Sequence, residues 1–323
     1  MTDISISCII PTLARGQVVC DTVGMLLAQS RPAHEIILVD QTRQHTAVIE
    51  RQLKDWAAKG IIVWLRQAEA NASKARNAGA LAATGEVLLF LDDDIQIGPD
   101  YLAACAQVLE HSAATAVAGP ILEGRAPLVY CLPRKAFTRE LGWLLHFRKN
   151  YGCECETSFM MSGNVAIRRK VFLQLGGMDE NYERGAHREE SDFAMRFRAA
   201  GYRVRYDPRC ALVHLGPESV PGGGARDGRQ GKDFRYFHHC VGDWYFNLKF
   251  GTPRTAMALL AASLRHFVFN RQTFQRPWRF PLAMGYWLLG FPPAAFKRFR
   301  GAQLLKGNSP PGCRAFDQAP ERG

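Results

Sequence analysis

What is missing narrows the 323 residues first. No apolar run reaches the ~18 uncharged residues that a membrane-spanning helix needs, so a spanning segment is not expected. Met1-Thr2-Asp3 leads into Ile4-Ser5-Ile6 without a basic n-region, so no secretory signal is expected, and a cytoplasmic protein with reduced thiols is. The nine cysteines are scattered; only Cys153 and Cys155 stand close, and no second pair completes a zinc site. Gly-x-Gly-x-x-Gly does not follow the first apolar run, which disfavours a dinucleotide cofactor. No Gly-Lys-Ser/Thr loop occurs, which disfavours an ATPase. Acid is scarce in one place. Residues 240–300 hold nine Lys or Arg and a single acid, Asp243, so most of the net charge of +11 belongs to that segment.

What is present begins with alternation. Short apolar runs at 6–10, 35–39, 61–65, 87–91 and 116–119 read as strands, separated by helical patterns at 18–30, 46–59, 73–83 and 99–111. Continuous apolar strands alternating with helices predict an α/β fold with a mainly parallel sheet covered on both faces. Residues 122–157 have no clear pattern. A strand is expected from Phe159 to Ile167, a short helix over 168–175, an amphipathic helix from Glu189 to Gly201, and strand-like pieces at 203–206 and 210–214. Gly176-Gly177 reads as a turn needing positive φ. In such sheets ligands bind beyond the carboxyl ends of the strands. Pro11-Thr12, Asp40 and the triplet Asp92-Asp93-Asp94 all stand at such ends. Three adjacent carboxylates repel one another, and a hard divalent cation such as Mg²⁺ or Mn²⁺ would relieve the cost. The competing reading is a solvated, helix-capping turn.

The ordered series Ile9-Ile10-Pro11-Thr12, Val39-Asp40, Lys74-Ala75-Arg76-Asn77-Ala78-Gly79, Leu89-Phe90-Leu91-Asp92-Asp93-Asp94, Gly163-Asn164, Gly176-Gly177-Met178-Asp179-Glu180 and Glu189-Glu190-Ser191-Asp192 resembles the inverting family 2 glycosyltransferases over residues 4 to 215. The resemblance implies a GT-A fold, a Rossmann-like mainly parallel sheet flanked by helices. It also implies a nucleotide-diphospho-sugar donor and Mn²⁺ or Mg²⁺. On that pattern Pro11, Thr12, Asp40, Arg76, Asp92 and Asp93 line the nucleotide-sugar site, and Asp94, Asp92 and His214 are candidate metal ligands. His214 is equally readable as a satisfied core histidine. Glu190 takes the position of the general base that inversion requires, with Glu189 as the competing choice. The family's usual residue there is one methylene shorter, so a catalytically silent nucleotide-sugar-binding or scaffold protein of the same fold is the alternative. Asn164 and Asp179 are candidate acceptor contacts, or else a strand-bonding amide and a turn cap.

The expected organisation is a catalytic domain over 1–216, a flexible Gly-rich loop at 217–231, a basic-aromatic helical appendage at 232–305 and a disordered tail at 306–323. Aromatics mixed with cations on helices suit a membrane surface. Packing on the catalytic domain or on a second subunit is the next reading, and nucleic acid is not expected. The implied enzyme sits peripherally on the cytoplasmic face of a membrane and builds cell-surface polysaccharide on a glycan or lipid-linked acceptor.

Overall fold

The computed structural model describes residues 3–124, 126–130, 149–157, 160–183, 187–216 and 232–305, the side chains of 232–236 excepted. The expected loop at 217–231, the expected tail at 306–323 and Phe159 lie outside the described residues.

The order is β1 (Ile6–Thr12), α1 (Gln17–Leu27), β2 (Glu35–Asp40), α2 (Ala47–Ala58), β3 (Val63–Arg66), α3 (Ala72–Ala82), β4 (Val87–Leu91), β5 (Ile95–Gln96), α4 (Tyr101–His111), β6 (Ala116–Ala118) and β7 (Ile121–Glu123). Then come β8 (Cys155–Thr157), β9 (Asn164–Arg168), α5 (Arg169–Gln174), α6 (Glu189–Ala199), β10 (Val204–Tyr206) and β11 (Leu212–His214). The chain ends in helices α7 (Lys232–Phe250), α8 (Ala256–Phe267), α9 (Arg271–Gln275), α10 (Phe280–Leu289) and α11 (Phe291–Arg300).

Eight strands form one sheet in the order β3-β2-β1-β4-β9-β6-β10-β8, and β5-β11-β7 form a second, small sheet. The mainly parallel sheet flanked by helices is as expected. Two strands run against it: β9 lies antiparallel between β4 and β6, and β8 antiparallel on β10. Gly163 precedes β9 and does not lie within it. The central strands are buried on both faces, since α1, α2 and α4 cover one side and α3, α5 and α6 the other. The α3 face needs close approach: a Cβ on Gly79 would stand 2.4 Å from the Ile9 side chain. Phe172 packs between Phe90 and Phe193 with tilted rings, the centroids 5.0 Å apart on each side. Each such fully buried aromatic contributes about 2–3 kcal/mol.

Gly176 and Gly177 both adopt positive φ, as the turn reading required. That turn carries Asp179, which is fully buried. Its Oδ1 accepts from the backbone N–H of Asn181 and Gln303, and its Oδ2 from Tyr245 and Lys249. Lys249 also reaches Asp192, at 2.6 Å. Asp179 is therefore the bolt that fixes α7 and the 301–305 strap to the sheet domain, and no oxygen of it remains for an acceptor. Burial opposes its ionisation, but Lys249 and the bonds it accepts outweigh that and hold its pKa below the usual value. Lys249→Met leaves two buried carboxylates without their shared cation, an expected loss of about 3–5 kcal/mol. Differential scanning calorimetry checks it. Because the pKa of Asp179 is lowered by folding, its contribution is present at neutral pH and is lost only as pH falls through the acid range.

Candidate active site

The carboxyl ends of β1, β2 and β4 converge as the sheet topology demands. Thr12 stands opposite Asp40 in the β1–β2 register, and its hydroxyl donates to Asp93 Oδ2 at 2.6 Å. Pro11 lies beyond Ile9↔Phe90, the last β1–β4 pair, where its missing N–H costs the ladder nothing. Thr22 of α1 caps the backbone carbonyl of Asp93.

The aspartate triplet divides into three environments. Asp93 is buried and bonded to Thr12 and to Arg15 Nε at 3.1 Å. Asp94 is also buried; its Oδ2 receives Arg15 Nη2 at 2.7 Å and its Oδ1 lies 3.3 Å from His214 Nε2. Asp92 keeps 39% of its side chain exposed and faces Arg76 Nη2 at 3.7 Å. Burial pushes the Asp92 pKa up, Arg76 works against this, and the charge of Asp94 adds to it. The triplet is thus not left bare. Arg15 and His214 supply positive charge, and the sequence reading had missed Arg15.

His214 arrives through strand pairing. β11 pairs antiparallel with β5, directly after the triplet, and places His214 opposite Ile95. The Leu215 N–H donates to the Asp94 carbonyl. Glu123 of β7 bonds His214 Nδ1 at 3.0 Å, fixing the ring so that Nε2 faces Asp94. The bond to Asp94 raises the His214 pKa to about 9 against the opposing effect of burial.

On the other wall, Arg76 of α3 makes a buried ion pair with Glu189 Oε1 at 2.6 Å, and Ser73 donates to Glu189 Oε2 at 3.0 Å. Burial raises the Glu189 pKa, and Arg76 pulls it back. Glu189 is thereby consumed. Its neighbour Glu190 is half-buried; its Oε1 accepts from the Ser162 N–H at 2.8 Å and hydroxyl at 2.6 Å. Among the described residues none bonds its Oε2. Gly163, next in the chain, abuts the opposite acid: a Cβ there would stand 2.3 Å from Asp92 Oδ2. Adjacent Cα atoms are about 3.8 Å apart, so Ser162-Gly163 brings Glu190 and Asp92 close together.

Asp40, at the carboxyl end of β2, is fully buried. Its Oδ1 accepts the Thr42 N–H, while His45, Trp64 and Arg66 gather on Oδ2 at 2.7, 3.0 and 3.4 Å. Burial opposes its ionisation, and the bonds from His45 and Thr42 prevail to lower its pKa. Asn164 is buried away from the groove, accepting from Tyr101 and donating to the carbonyls of Pro120 and Cys210. It braces β9; with its amide and carbonyl both engaged, it offers an acceptor nothing.

The sequence model of the family described as glycosyl transferase family 2 matches residues 7–176, which include β1, Asp40, Arg76 and the triplet. The chain belongs to glycosyl transferase family 2. This family 2 glycosyltransferase is 26% identical over 203 residues to the glucosyl-dolichyl phosphate glucuronosyltransferase of Haloferax volcanii, a match covering 60% of this chain and 63% of that one. It is 29% identical over 180 residues to an uncharacterised glycosyltransferase of Haemophilus influenzae, covering 54% and 56%. The match to the O-antigen biosynthesis protein RfbC of Myxococcus xanthus, 26% identical, covers 65% of this chain and 17% of that one. The chain thus spans less than two thirds of the length of these relatives. Its fold is shared with the mannosyltransferase PcManGT of Pyrobaculum calidifontis in complex with GDP-Man and Mn²⁺, at TM-score 0.53, 21% identity and coverage of 93% and 80%. It is shared too with GalNAc-T7 bound to UDP, GalNAc and Mn²⁺, at TM-score 0.60, 14% identity and coverage of 93% and 58%. At such identities the likeness shows the fold, and the chemistry has to come from the groove of this family 2 glycosyltransferase itself.

Among the described residues no three His, Cys, Asp or Glu side chains already form a metal cluster. The donors nonetheless fit a hard divalent ion. Two ligands ~2.1 Å from an octahedral ion stand about 3 Å apart, close to the 3.3 Å between Asp94 Oδ1 and His214 Nε2. Glu123 behind His214 would orient the imidazole if it were to hold a metal. Asp92 is the least buried acid of the three.

Proposed function

We propose that the chain is an inverting, metal-dependent transferase that moves a sugar from a nucleotide-diphospho-sugar to a glycan or lipid-linked acceptor. The observation that carries this is the partition of the two adjacent glutamates: Glu189 is locked to Arg76, while Glu190 is held by Ser162 at one oxygen only. A positioned carboxylate with a spare oxygen, opposite an acidic donor wall, is what single displacement requires. Thr12, Asp40, Arg76 and Asp92 shape the donor site. Asp40 presents Trp64 and Arg66 at its base end, with Arg66 over the Trp64 ring at 5.2 Å. Asp94, Asp92 and His214 would hold Mn²⁺ or Mg²⁺, and the ion would supply positive charge for the departing diphosphate. Arg15 holds Asp93 and Asp94 in place. Glu190 takes the acceptor hydroxyl proton as the acceptor oxygen bonds the anomeric carbon and the nucleoside diphosphate leaves from the opposite face.

The setting we propose is cell-surface polysaccharide assembly at the cytoplasmic face of a membrane. The Haloferax relative's dolichyl-phosphate substrate and the Myxococcus relative's O-antigen role support that choice. The test is a thermal-shift screen of nucleotide sugars with and without Mn²⁺. A donor at 100 times its Kd adds about 2.7 kcal/mol by mass action, a rise of several degrees. The expected result is a rise for one base only, reversed by EDTA. No shift with any nucleotide sugar and metal would sink the reading.

A further inference from the structure

The C-terminal helices use one face to pack on the sheet domain and leave another bare. Inside, the aromatics have bonded polar tips: Trp244 Nε1 donates to the Trp287 carbonyl and Trp287 Nε1 to Ser263. Outside, α10 presents a different picture. Its ten residues, FPLAMGYWLL, include no charged side chain, yet only Ala283 and Trp287 are buried. Leu288 and Leu289 are 55% and 63% exposed. A helix apolar on every side normally lies buried, so its open flank implies a second apolar medium.

The corner leading into α10 extends that flank. Residues 274–282 are exposed throughout, with Phe274 at 72% and Trp278 at 73%. They are held out by a built turn: Asn270 caps α9 with a reciprocal bond to Thr273, and the Phe269 and Phe280 rings meet at 5.5 Å. Arg271, Arg276 and Arg279 are interleaved with these rings, and all three are exposed. From Trp244 to Leu305 there is no Asp or Glu. Among the described residues no helix is long and apolar enough to cross a membrane.

We propose that the α9–α10 corner is a monotopic membrane anchor that seats Phe274, Trp278, Phe280, Leu282, Leu288 and Leu289 in the headgroup–acyl boundary of an anionic bilayer. Rings enter the interface, and Arg271, Arg276 and Arg279 meet lipid phosphates. A second copy of this chain is the less suitable occupant, because two such faces would bring six arginines together without an acid. The inference deepens the proposed membrane-bound acceptor by naming the surface that meets the membrane, and it is tested without donor or acceptor.

The experiment is sedimentation of the full chain with phosphatidylcholine vesicles, with and without phosphatidylglycerol. The expected result is binding to the anionic vesicles that weakens with salt. Each arginine near the surface contributes about fivefold, so Arg271→Gln/Arg276→Gln/Arg279→Gln should lower partitioning roughly a hundredfold. Phe274→Ala/Trp278→Ala should abolish it, and both variants alter exposed side chains only. Donor thermal shift, unchanged in both, separates this inference from the catalytic reading. Partitioning equal to the parent chain in both variants would overturn the proposal. So would a dimer, seen by light scattering, that Phe274→Ala/Trp278→Ala dissociates while vesicles bind neither form.

Discussion

Glu190→Gln should cut kcat by about 10²–10⁴-fold and leave donor binding within twofold, because the amide keeps the shape and cannot take the proton. The neighbour supplies the control. Glu189→Gln removes the charge facing Arg76 across 2.6 Å in a site where both side chains are nearly buried. Among the described residues Arg76 Nε already has no hydrogen-bond partner. Arg76 would keep only the longer contact to Asp92, at 3.7 Å. Breaking a buried ion pair costs about 3–5 kcal/mol, so Glu189→Gln should appear first as a fall in Tm. The two variants therefore separate chemistry from architecture: one folded and slow, the other destabilised. Ser162→Ala adds a third reading. It removes the hydroxyl bond to Glu190 Oε1, leaves only the backbone N–H to hold it, and should lower kcat more than it raises KM, since Ser162 positions the base without touching the donor. Single-turnover transfer with isothermal titration of the donor checks all three. If Glu190→Gln transferred sugar at the parent rate, the base would have to be sought elsewhere. If the parent bound donor and never transferred it, the silent alternative would stand.

The frame of this site was legible in the sequence because its signals are local. Continuous apolar runs ending in Thr12, Asp40 and Asp92 announce buried strands with polar carboxyl ends, and the sheet then brings those ends together. Strand direction was not legible. The period of β9 is the same whether it runs with β4 or against it, so the antiparallel insertion appeared only in the register. Charge pairing was not legible either. Arg15 reads as one more loop cation, yet it folds inward onto Asp93 and Asp94, with a side chain 6% exposed. Glu123 and His214 are separated by 91 residues and meet only because β7 and β11 are neighbours. Asp179 illustrates the reverse case. A carboxylate after a double-glycine turn looks available to a ligand, but Lys249 and Tyr245, which occupy it, come from a helix about 70 residues away.

Asp94→Asn is expected to abolish the metal-dependent part of donor binding and to lower kcat/KM by about 10³-fold or more, while the chain stays folded. The groove geometry gives the reason. In the resting site Asp94 is pinned between Arg15 and His214, so its charge is already balanced. If Asp94 and His214 held a divalent ion, a full carboxylate at Asp94 would supply the charge that an amide lacks. The amide keeps an oxygen for Arg15, and Asp93 still holds the Arg15 Nε, so the fold loses little. What it loses is a ligand charge where the departing diphosphate needs neutralising, an effect worth several kcal/mol in the transition state. His214→Ala should weaken metal affinity by a smaller factor, and Glu123→Gln, which only orients the ring, by about 10–100-fold. Mn²⁺ titration followed by electron paramagnetic resonance reads the affinities directly and independently of turnover. Equal Mn²⁺ affinity in Asp94→Asn and the parent would remove Asp94 from the ligand set and leave Arg15 and Arg76 to carry the diphosphate charge alone.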